Sequence, residues 1–521
     1  MILKFFLKNK YLPFILILIL GIYFRCVNLD QRLYWYDESF TLLRISGYTE
    51  AELIQELFTG QAISSEALKK YQQPSSAKTL IDTIKGLAIE EPQHPPLYYI
   101  LSRFWVQLQG SSVVSIRSFS VIISLLTFLG LYWLCAELFP NQGALPGWLT
   151  ICLVAISPFQ VYYSQEARSY SLWILTIVLS SASLLHALHH SKTMSWIGYG
   201  FTLTLSFYTF LFSGLVAISH GLYILTLERF RWTQTVVYYS LASVLSLLLF
   251  SPWIFVLINH YQSLIKTTHW TGSVILSFPQ LCQHWISNLR HLIYSFDTPA
   301  PLQIILITIS VGLMAVSGYF IATKTSRFTS LFLLTLTLTS AIILISHDLI
   351  KGGRLSIIPR YFMASCLGIY LSLSYYLFVI IYHGNHVQKV VGTFLSSVVI
   401  GLGVISHWTT VDQAVFRYHF ISQENLEIAH ILNQHPHSIL LSNSFFSNPG
   451  DLLSLSHSLQ DHVRLILFVE PEIPQVDVHS ADVFLFRSID DQKHKPKLAL
   501  EQFYQIHPVD NLKMLWQLTN K

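Results

Sequence analysis

Residues 236–258 read VVYYSLASVLSLLLFSPWIFVLI, a run with no acidic or basic side chain. A helix of that length can cross the roughly 30 Å hydrocarbon core of a membrane. The whole chain of 521 residues agrees, since 52% of it is hydrophobic and 12% is charged, about half the roughly 25% charged share of soluble domains. Lipid offers backbone N–H and C=O groups no partner, so apolar runs of this kind are predicted to be helices. The sequence predicts a polytopic membrane protein.

Similar apolar runs recur along the chain and predict about eleven membrane helices. The first run follows Lys4, Lys8 and Lys10 and has no small-residue cleavage pattern behind it, which favours an uncleaved span over a signal peptide. We place the spans at residues 11–27, 113–138, 144–162, 170–188, 196–210, 211–227, 235–258, 301–322, 328–346, 361–382 and 390–409.

The stretch Pro95–Gln109 is apolar but short, and it contains Arg103. We predict an amphipathic helix along the membrane surface rather than a further span. With that choice the basic residues of the short loops share the cytoplasmic side with the N-terminus, as the positive-inside rule requires. The residues concerned are Lys192, Arg229, Arg231, Lys324, Arg327 and Lys389. The chain is therefore predicted to be a multi-pass protein of the plasma (inner) membrane with a cytoplasmic N-terminus.

The region from about residue 411 onward is polar and periodic. Short β-like runs at residues 438–441, 464–469 and 483–486 alternate with helix-like stretches at 424–433, 451–460 and 498–505. This alternation predicts a small extracytoplasmic α/β domain at residues 411–521, after a membrane domain at residues 1–410. Within the membrane domain, the acid-rich loop 28–112 is predicted to lie outside the cytoplasm and to contain juxtamembrane helices.

Several kinds of partner and cofactor are not predicted. A net charge of +4 without a basic stripe excludes nucleic acid. The five cysteines are far apart and form no CxxC pair, and the acids lack Asp-x-Asp spacing. The histidines of the last domain match no metal-binding motif. The sequence thus predicts neither a metal site nor another cofactor. The one partner that the composition itself predicts is the membrane lipid bilayer.

Residues suited to chemistry concentrate in the predicted outer loops. Asp37 and Glu38 follow the aromatic run Tyr34-Trp35-Tyr36 just beyond the first span. A carboxylate there lies where water meets lipid, a suitable place for a general base between a soluble and a lipid-anchored substrate. Alternatively, the two acids cap a short helix. The candidates for substrate binding are His94, Tyr98, Glu166, Arg168, Tyr170, Lys351, Arg354, Arg360 and Tyr361.

These segments, in this order, resemble the integral-membrane glycosyltransferases of the GT-C fold, in particular the protein mannosyltransferase and aminoarabinose transferase group called glycosyltransferase family 39. The resemblance covers residues 11–230 and, more loosely, Arg360-Tyr361. It implies a sugar donor carried on a polyprenyl phosphate, an unknown acceptor, an active site at the outer membrane face, and Asp37 as the residue that acts on the acceptor. The chain departs from the pattern after Tyr208-Thr209, where Phe210 stands in place of a frequent histidine.

The basic residues fit a phosphate-bearing donor. When the sugar leaves, the phosphate passes from one negative charge toward two, so a fixed cation favours the transition state over the ground state. Arg360 is the best candidate, with Lys351, Arg354 and Arg168 behind it, because the outer cluster of Lys351, Arg354 and Arg360 breaks the positive-inside rule. The alternative for Arg360 is a side chain that snorkels at a helix end.

The remaining candidates each keep two interpretations. Glu166 and Arg168 pair as a structural clamp or bind sugar hydroxyls. His94 contacts the donor phosphate or acceptor, or simply precedes the Pro95-Pro96 start of a helix. Tyr98 and Tyr170, like Tyr99, Tyr162 and Tyr163, either stack on sugar faces or belong to the interfacial aromatic belt.

An inverting glycosyltransferase is thus the predicted function, and two other classes compete with it. A transporter or flippase for a lipid-linked sugar usually carries ionisable groups near the bilayer midplane. Spans such as residues 236–258 and 301–322 have none, which favours chemistry at the surface. A scaffold without catalytic activity is disfavoured only weakly, by the charged outer loops.

Overall fold

The computed structural model describes residues 11–410, 422, 424–445, 447–472, 474–479, 481–486, 500–501, 503–509 and 512–521. Lys4, Lys8, Lys10 and the predicted domain boundary at residue 411 lie outside the described residues. A helix or a helix pair lies at each predicted span. These helices are Leu12–Cys26, Val113–Leu138, Leu145–Ile156 with Pro158–Ser164, Tyr170–His190, Thr193–Thr209, Ser213–Leu227, Gln234–Asn259, Ala300–Lys324, Arg327–Lys351, Met363–Tyr382 and His386–Thr410.

The protein is a multi-pass membrane protein, but fewer helices than predicted have the full length of a span. In the described part of the chain, 7 helices are long and apolar enough to cross a membrane, or up to 8 if the bent pair is one span. Leu12–Cys26, with 15 residues, is apolar but shorter, and it rises only about 22 Å against the roughly 30 Å of hydrocarbon. By length and composition, 7 or 8 of the about eleven predicted spans therefore have the full length of a membrane-crossing helix among the described residues. The others are the shorter helices Leu12–Cys26, Thr193–Thr209 and Ser213–Leu227.

The predicted span at residues 144–162 is two helices rather than one. Leu145–Ile156 and Pro158–Ser164 meet at a bend of 68°. Pro158 has no N–H for a continuing helix, and it disfavours helical backbone at Ser157. Ser157 accordingly has ψ 126° and accepts a hydrogen bond from the N–H of Gln160, so it caps the second helix.

The stretch after Pro95-Pro96 forms the helix Leu97–Gln109 of 13 residues, which rises about 20 Å and is too short to span hydrocarbon. A short helix was expected here, and its location along the membrane surface stays a prediction. The other short helices of the described residues are Tyr36–Ile45, Glu50–Leu57, Ser65–Lys69, Leu80–Glu90, Tyr261–Thr268 and Phe278–Arg290, with 3₁₀ turns at Lys70–Gln72, His269–Thr271, Leu355–Ile357 and Pro359–Phe362.

The C-terminal region contains a mixed sheet with helices Asn425–Gln434 and Asn448–Leu455. The central strands Arg464–Phe468, Ser438–Asn443 and Asp482–Phe486 are parallel to one another, as their alternation with helices predicted. Across the sheet the six strands follow the order Ala62–Ser64, Arg464–Phe468, Ser438–Asn443, Asp482–Phe486, Leu515–Asn520 and Tyr504–Pro508. The predicted fold class, a helical membrane protein with a small C-terminal α/β region, is confirmed.

Two details of this region were predicted wrongly or missed. Tyr504 and Gln505 end a predicted helix, but they begin a strand that pairs with Leu515–Asn520 through the register Tyr504 to Asn520. Residues 498, 499 and 502 of that predicted helix lie outside the described residues. The edge strand Ala62–Ser64 comes from the first loop and pairs antiparallel with Arg464–Phe468. Three residues are too short for a pattern that sequence reading can recognise.

The chain forms two compact units. The first contains residues 1–27, 91–98 and 117–412, and the second contains residues 28–90, 99–116 and 413–521. The second unit therefore combines most of the first loop with the C-terminal region. Its core joins Phe40 and Leu43 of one segment to Leu452 and Leu465 of the other. Burial of each such side chain stabilises the folded unit by about 1.5–3 kcal/mol.

Candidate active site

Asp37 and Glu38 lie in the first turn of the helix Tyr36–Ile45, which we call the Asp37 helix. Acidic side chains are favourable there because the N-terminus of a helix carries partial positive charge. The two acids differ in exposure, since Asp37 is half-buried and Glu38 is 0% exposed. Asp37 is accordingly the more accessible of the two predicted catalytic residues. Both belong to the second unit, whereas the other candidates belong to the first unit.

The loop between the helices Pro158–Ser164 and Tyr170–His190 contains Glu166 and Arg168. Both side chains are almost fully buried, with 5% and 4% exposure. The hydroxyl of Tyr162 donates to Oε1 of Glu166 at 2.9 Å. A guanidinium nitrogen of Arg168 lies 3.1 Å from Nε2 of His94. The structure therefore brings Arg168 and His94 together, and a hydrogen bond from Tyr162 fixes the carboxylate of Glu166.

Two side chains that sequence reading did not select fix this loop to the first membrane helix. Arg25, which is 1% exposed, donates from Nη2 to the carbonyl of Val154 at 3.0 Å and from Nη1 to that of Ala155. These carbonyls lie at the end of Leu145–Ile156, where helical partners are lacking. In return, Nε2 of Gln165 donates to the carbonyls of Phe24, Arg25 and Val27 at 2.9 to 3.1 Å. Arg25 thus donates to the end of Leu145–Ile156, and Gln165 donates to carbonyls at the end of Leu12–Cys26.

Arg360 lies in the 3₁₀ turn Pro359–Phe362, which precedes the helix Met363–Tyr382. Its guanidinium carbon is 5.7 Å from the ring centre of Tyr170 and 5.7 Å from that of Tyr361. Cation–π contacts at such distances hold a guanidinium over an aromatic ring. The three predicted residues Arg360, Tyr170 and Tyr361 therefore form one cluster, which we call the Arg360 cluster.

Phe210 belongs to the same surroundings. Its ring centre is 6.1 Å from Tyr170 and 6.3 Å from Tyr361, and Phe212 packs edge-on against Tyr361 at 4.6 Å. Phe210 stands at the position where the resemblance stated above would imply a histidine. In this chain the position supplies aromatic packing around the Arg360 cluster and cannot donate a proton or a hydrogen bond.

The other two predicted cations of this region have different environments. Nε of Arg354 donates to the carbonyl of Trp270 at 2.9 Å, and its guanidinium carbon is 5.0 Å from the Trp270 ring. Lys351 is exposed at the end of the helix Arg327–Lys351. Gly352 and Gly353 follow with φ of 74° and 119°, a conformation that favours glycine. The phosphate-binding roles of Lys351 and Arg354 stay predictions.

Tyr98 is 0% exposed, and its hydroxyl lies 2.8 Å from Oγ of Ser120. Its predicted contact with a substrate also stays a prediction. Among the described residues, no group of three His, Cys, Asp or Glu side chains could hold a metal ion.

Comparison with known proteins adds an independent finding. Residues 93–256 match a family model described as dolichyl-phosphate-mannose-protein mannosyltransferase. This segment contains five of the predicted site residues, namely His94, Tyr98, Glu166, Arg168 and Tyr170. The chain has the fold of the GT-C glycosyltransferases. The resemblance predicted from the sequence is thereby confirmed, whereas a comparison with curated protein sequences gives no significant match.

Several solved structures share the fold of this chain. ArnT from Cupriavidus metallidurans bound to undecaprenyl phosphate is similar with a TM-score of 0.56 and 13% identity, over 98% of each chain. The oligosaccharyltransferase of Archaeoglobus fulgidus in its apo form gives 0.50 and 11% identity, over 89% of this chain and 65% of that one. Its complex with an inhibitory peptide and a dolichol-phosphate gives 0.50 and 10%, over 98% and 74%. At such identities these likenesses show the fold.

Proposed function

We propose that the protein is an inverting glycosyltransferase that moves a sugar from a polyprenyl-phosphate donor to a lipid, glycan or protein acceptor at the outer face of the membrane. The matching family model is named for an enzyme that uses a dolichyl-phosphate sugar. Two structures of the same fold hold undecaprenyl phosphate and a dolichol-phosphate. Both findings support a polyprenyl-phosphate donor.

The observation that carries the proposal is the Arg360 cluster. Arg360 stands at the start of an apolar helix, between two tyrosine rings and partly exposed. A planar guanidinium donates two parallel hydrogen bonds to phosphate oxygens, and a site of low dielectric strengthens them. The isoprenoid tail of the donor would remain in lipid while its phosphate meets Arg360. Glu166, Arg168 and His94 are proposed to bind the sugar and the rest of the head group.

Transfer would proceed by one displacement. The acceptor hydroxyl attacks C1 of the sugar, and Asp37 takes the hydroxyl proton as the new bond forms. The bond between C1 and the phosphate oxygen breaks, and its electron pair leaves on the polyprenyl phosphate. Arg360 stabilises the second negative charge that develops on that phosphate. Because one displacement occurs at C1, the configuration is inverted.

A reconstitution experiment tests this function. Purified protein in liposomes is given a radiolabelled polyprenyl-phosphate sugar together with lipid, glycan and protein fractions of the cell envelope. We expect label to enter one acceptor fraction and unlabelled polyprenyl phosphate to accumulate in equal amount. Donor that crosses the bilayer without incorporation would indicate a flippase instead. Mass spectrometry of envelope glycans from cells with and without the protein then identifies the acceptor.

The outer-face location is tested by cysteine labelling, after the five native cysteines have been replaced. A cysteine at the exposed position Asp30 is expected to react with a membrane-impermeant maleimide in intact cells. A matched cysteine at the exposed position Arg231 should react only after permeabilisation, because its loop is predicted to be cytoplasmic. The reverse pattern would place the Asp37 helix on the wrong side for this chemistry.

Metal independence is the remaining proposal. The reaction needs a base and a cation for the phosphate, and Asp37 and Arg360 are proposed to supply them. We therefore expect that EDTA, titrated into the reconstituted assay to a large excess, changes the transfer rate by less than about twofold. Complete loss that one divalent ion restores would contradict this expectation.

A further inference from the structure

The Asp37 helix begins without a cap of its own. Its N-cap residue is Trp35, whose side chain makes no capping hydrogen bond, since an indole is a donor only. The first N–H groups of a helix have no partner within the helix. The N–H of Tyr36 instead donates to Oγ of Ser422 at 3.1 Å. The cap therefore comes from a residue far along the chain.

Asp451 holds that capping serine in place. The Ser422 hydroxyl donates to Oδ1 of Asp451, and Nδ2 of Asn425 donates to the same oxygen at 3.3 Å. Asp451 is 0% exposed, and this burial raises its pKa to about 7. Burial of a carboxyl group costs free energy unless the group is hydrogen-bonded. The hydrogen bonds from Ser422 and Asn425 offset that cost for Asp451. It orients the Ser422 hydroxyl with its lone pair toward the N–H of Tyr36.

The helix Asn448–Leu455, which carries Asp451, makes further contacts around Asp37. The Ser454 hydroxyl donates to the carbonyl of Tyr34, and the Tyr34 hydroxyl donates to the carbonyl of Glu38 at 2.8 Å. Gly450 lies so close that an added Cβ would be 2.4 Å from Cε2 of Phe40 and 2.5 Å from Cδ2 of Tyr36. Asp37 is thus flanked on both sides by residues that the C-terminal region holds.

We propose that Ser422 and Asp451 are positioning residues, which fix the first turn of the Asp37 helix and thereby the place of the candidate base. The proposal rests on the proposed function, because it assigns the C-terminal region a part in that same reaction. Neither residue contacts substrate in this proposal. They act through the backbone N–H of Tyr36, one residue before Asp37. The C-terminal region would then serve catalysis itself, whatever it does for acceptor choice.

Three variants and one control test the proposal. Ser422→Gly removes the hydroxyl and suits the φ of 70° at this position, so the fold is expected to be retained. Asp451→Ala removes the acceptor of the Ser422 hydroxyl, whereas Asp451→Asn keeps an oxygen there. The control is Ser438→Ala, because Ser438 is equally buried but donates to the carbonyl of Leu432 at 2.9 Å, away from the Asp37 helix.

Ser422→Gly and Asp451→Ala are expected to lower kcat by about 10- to 100-fold and to change the donor KM by less than about twofold, because a misplaced base impairs the chemical step rather than binding. Asp451→Asn should restore most of kcat. Hydrogen exchange of a peptide that covers residues 36–40 should be about fivefold faster in Ser422→Gly, as loss of a helix cap implies. Ser438→Ala should leave all three quantities near the native values.

The outcomes separate this proposal from the function on which it rests. Native kcat and native exchange in Ser422→Gly would overturn the positioning role, and so would an equal loss of kcat in Ser438→Ala. If exchange accelerates but Asp37→Asn retains turnover, then the cap is real and the base assignment fails. If Asp451→Ala does not fold, Ser422→Gly and Asp451→Asn still test the positioning role, because both keep a polar side chain at position 451.

Discussion

Asp37→Asn is expected to abolish measurable transfer, with kcat lower by about 100- to 10,000-fold. An amide has nearly the shape of the carboxylate, so the first turn of the helix should remain folded, but it cannot take the proton from the acceptor hydroxyl. Donor binding should be unchanged, because the base is needed only as the new bond forms. The measurements are initial rates in liposomes and donor affinity by equilibrium binding.

The matched control for this variant is Asp30→Asn. Asp30 is an exposed carboxylate of the same loop, and its loss should change kcat by less than about twofold. Turnover that survives in Asp37→Asn would remove Asp37 from the role of base. Glu38→Gln would then be the next variant, although the complete burial of Glu38 makes it the poorer candidate.

Arg360→Ala is expected to lower kcat by about 100- to 1,000-fold, a typical cost for removing a group that stabilises charge in the transition state. Arg360→Lys should recover part of this loss, because it keeps the charge but not the planar fork. The defect should shrink with donor analogues whose leaving group is more acidic, since these develop less charge that needs stabilisation. Rates with two such analogues measure that difference.

The control for Arg360 is Arg327→Ala. Arg327 donates to a backbone carbonyl, that of Thr226, at the start of another membrane helix, and it has no predicted part in the reaction. Its loss should leave kcat near the native value. An Arg360→Ala variant with native kcat, or one equally slow with every leaving group, would contradict the assignment of Arg360 to the phosphate.

Periodicity and composition predicted the helices of the membrane part, because an apolar run in lipid has one backbone solution. They also placed Asp37 between the first two predicted spans and Arg360 before a helix. The bend at Ser157 could have been predicted from Pro158 but was not. Tyr504 was assigned to a helix, although it pairs in a sheet. Strand pairing depends on a partner elsewhere in the chain, which local patterns do not contain.

Dependence on partners elsewhere in the chain also explains why the supporting residues Arg25, Ser422 and Asp451 were missed. Arg25 lies near the end of the predicted span 11–27, and it donates to carbonyls of a helix about 130 residues further on. A charged side chain within an apolar segment was the available signal. Ser422 and Asp451 gave no signal at all, since a serine and an aspartate in a polar region are ordinary. Only three-dimensional proximity reveals their contact with the Asp37 helix.

The long separation between Tyr36 and its cap, 386 positions in sequence, has a consequence for biosynthesis. At roughly 5–20 residues per second, a ribosome reaches Ser422 about 20 to 80 seconds after it has made Tyr36. During that interval the growing polypeptide already exposes Asp37 but lacks the group that secures it. The nascent chain thus gains the group that secures Asp37 only after the helices up to His386–Thr410 have been synthesised.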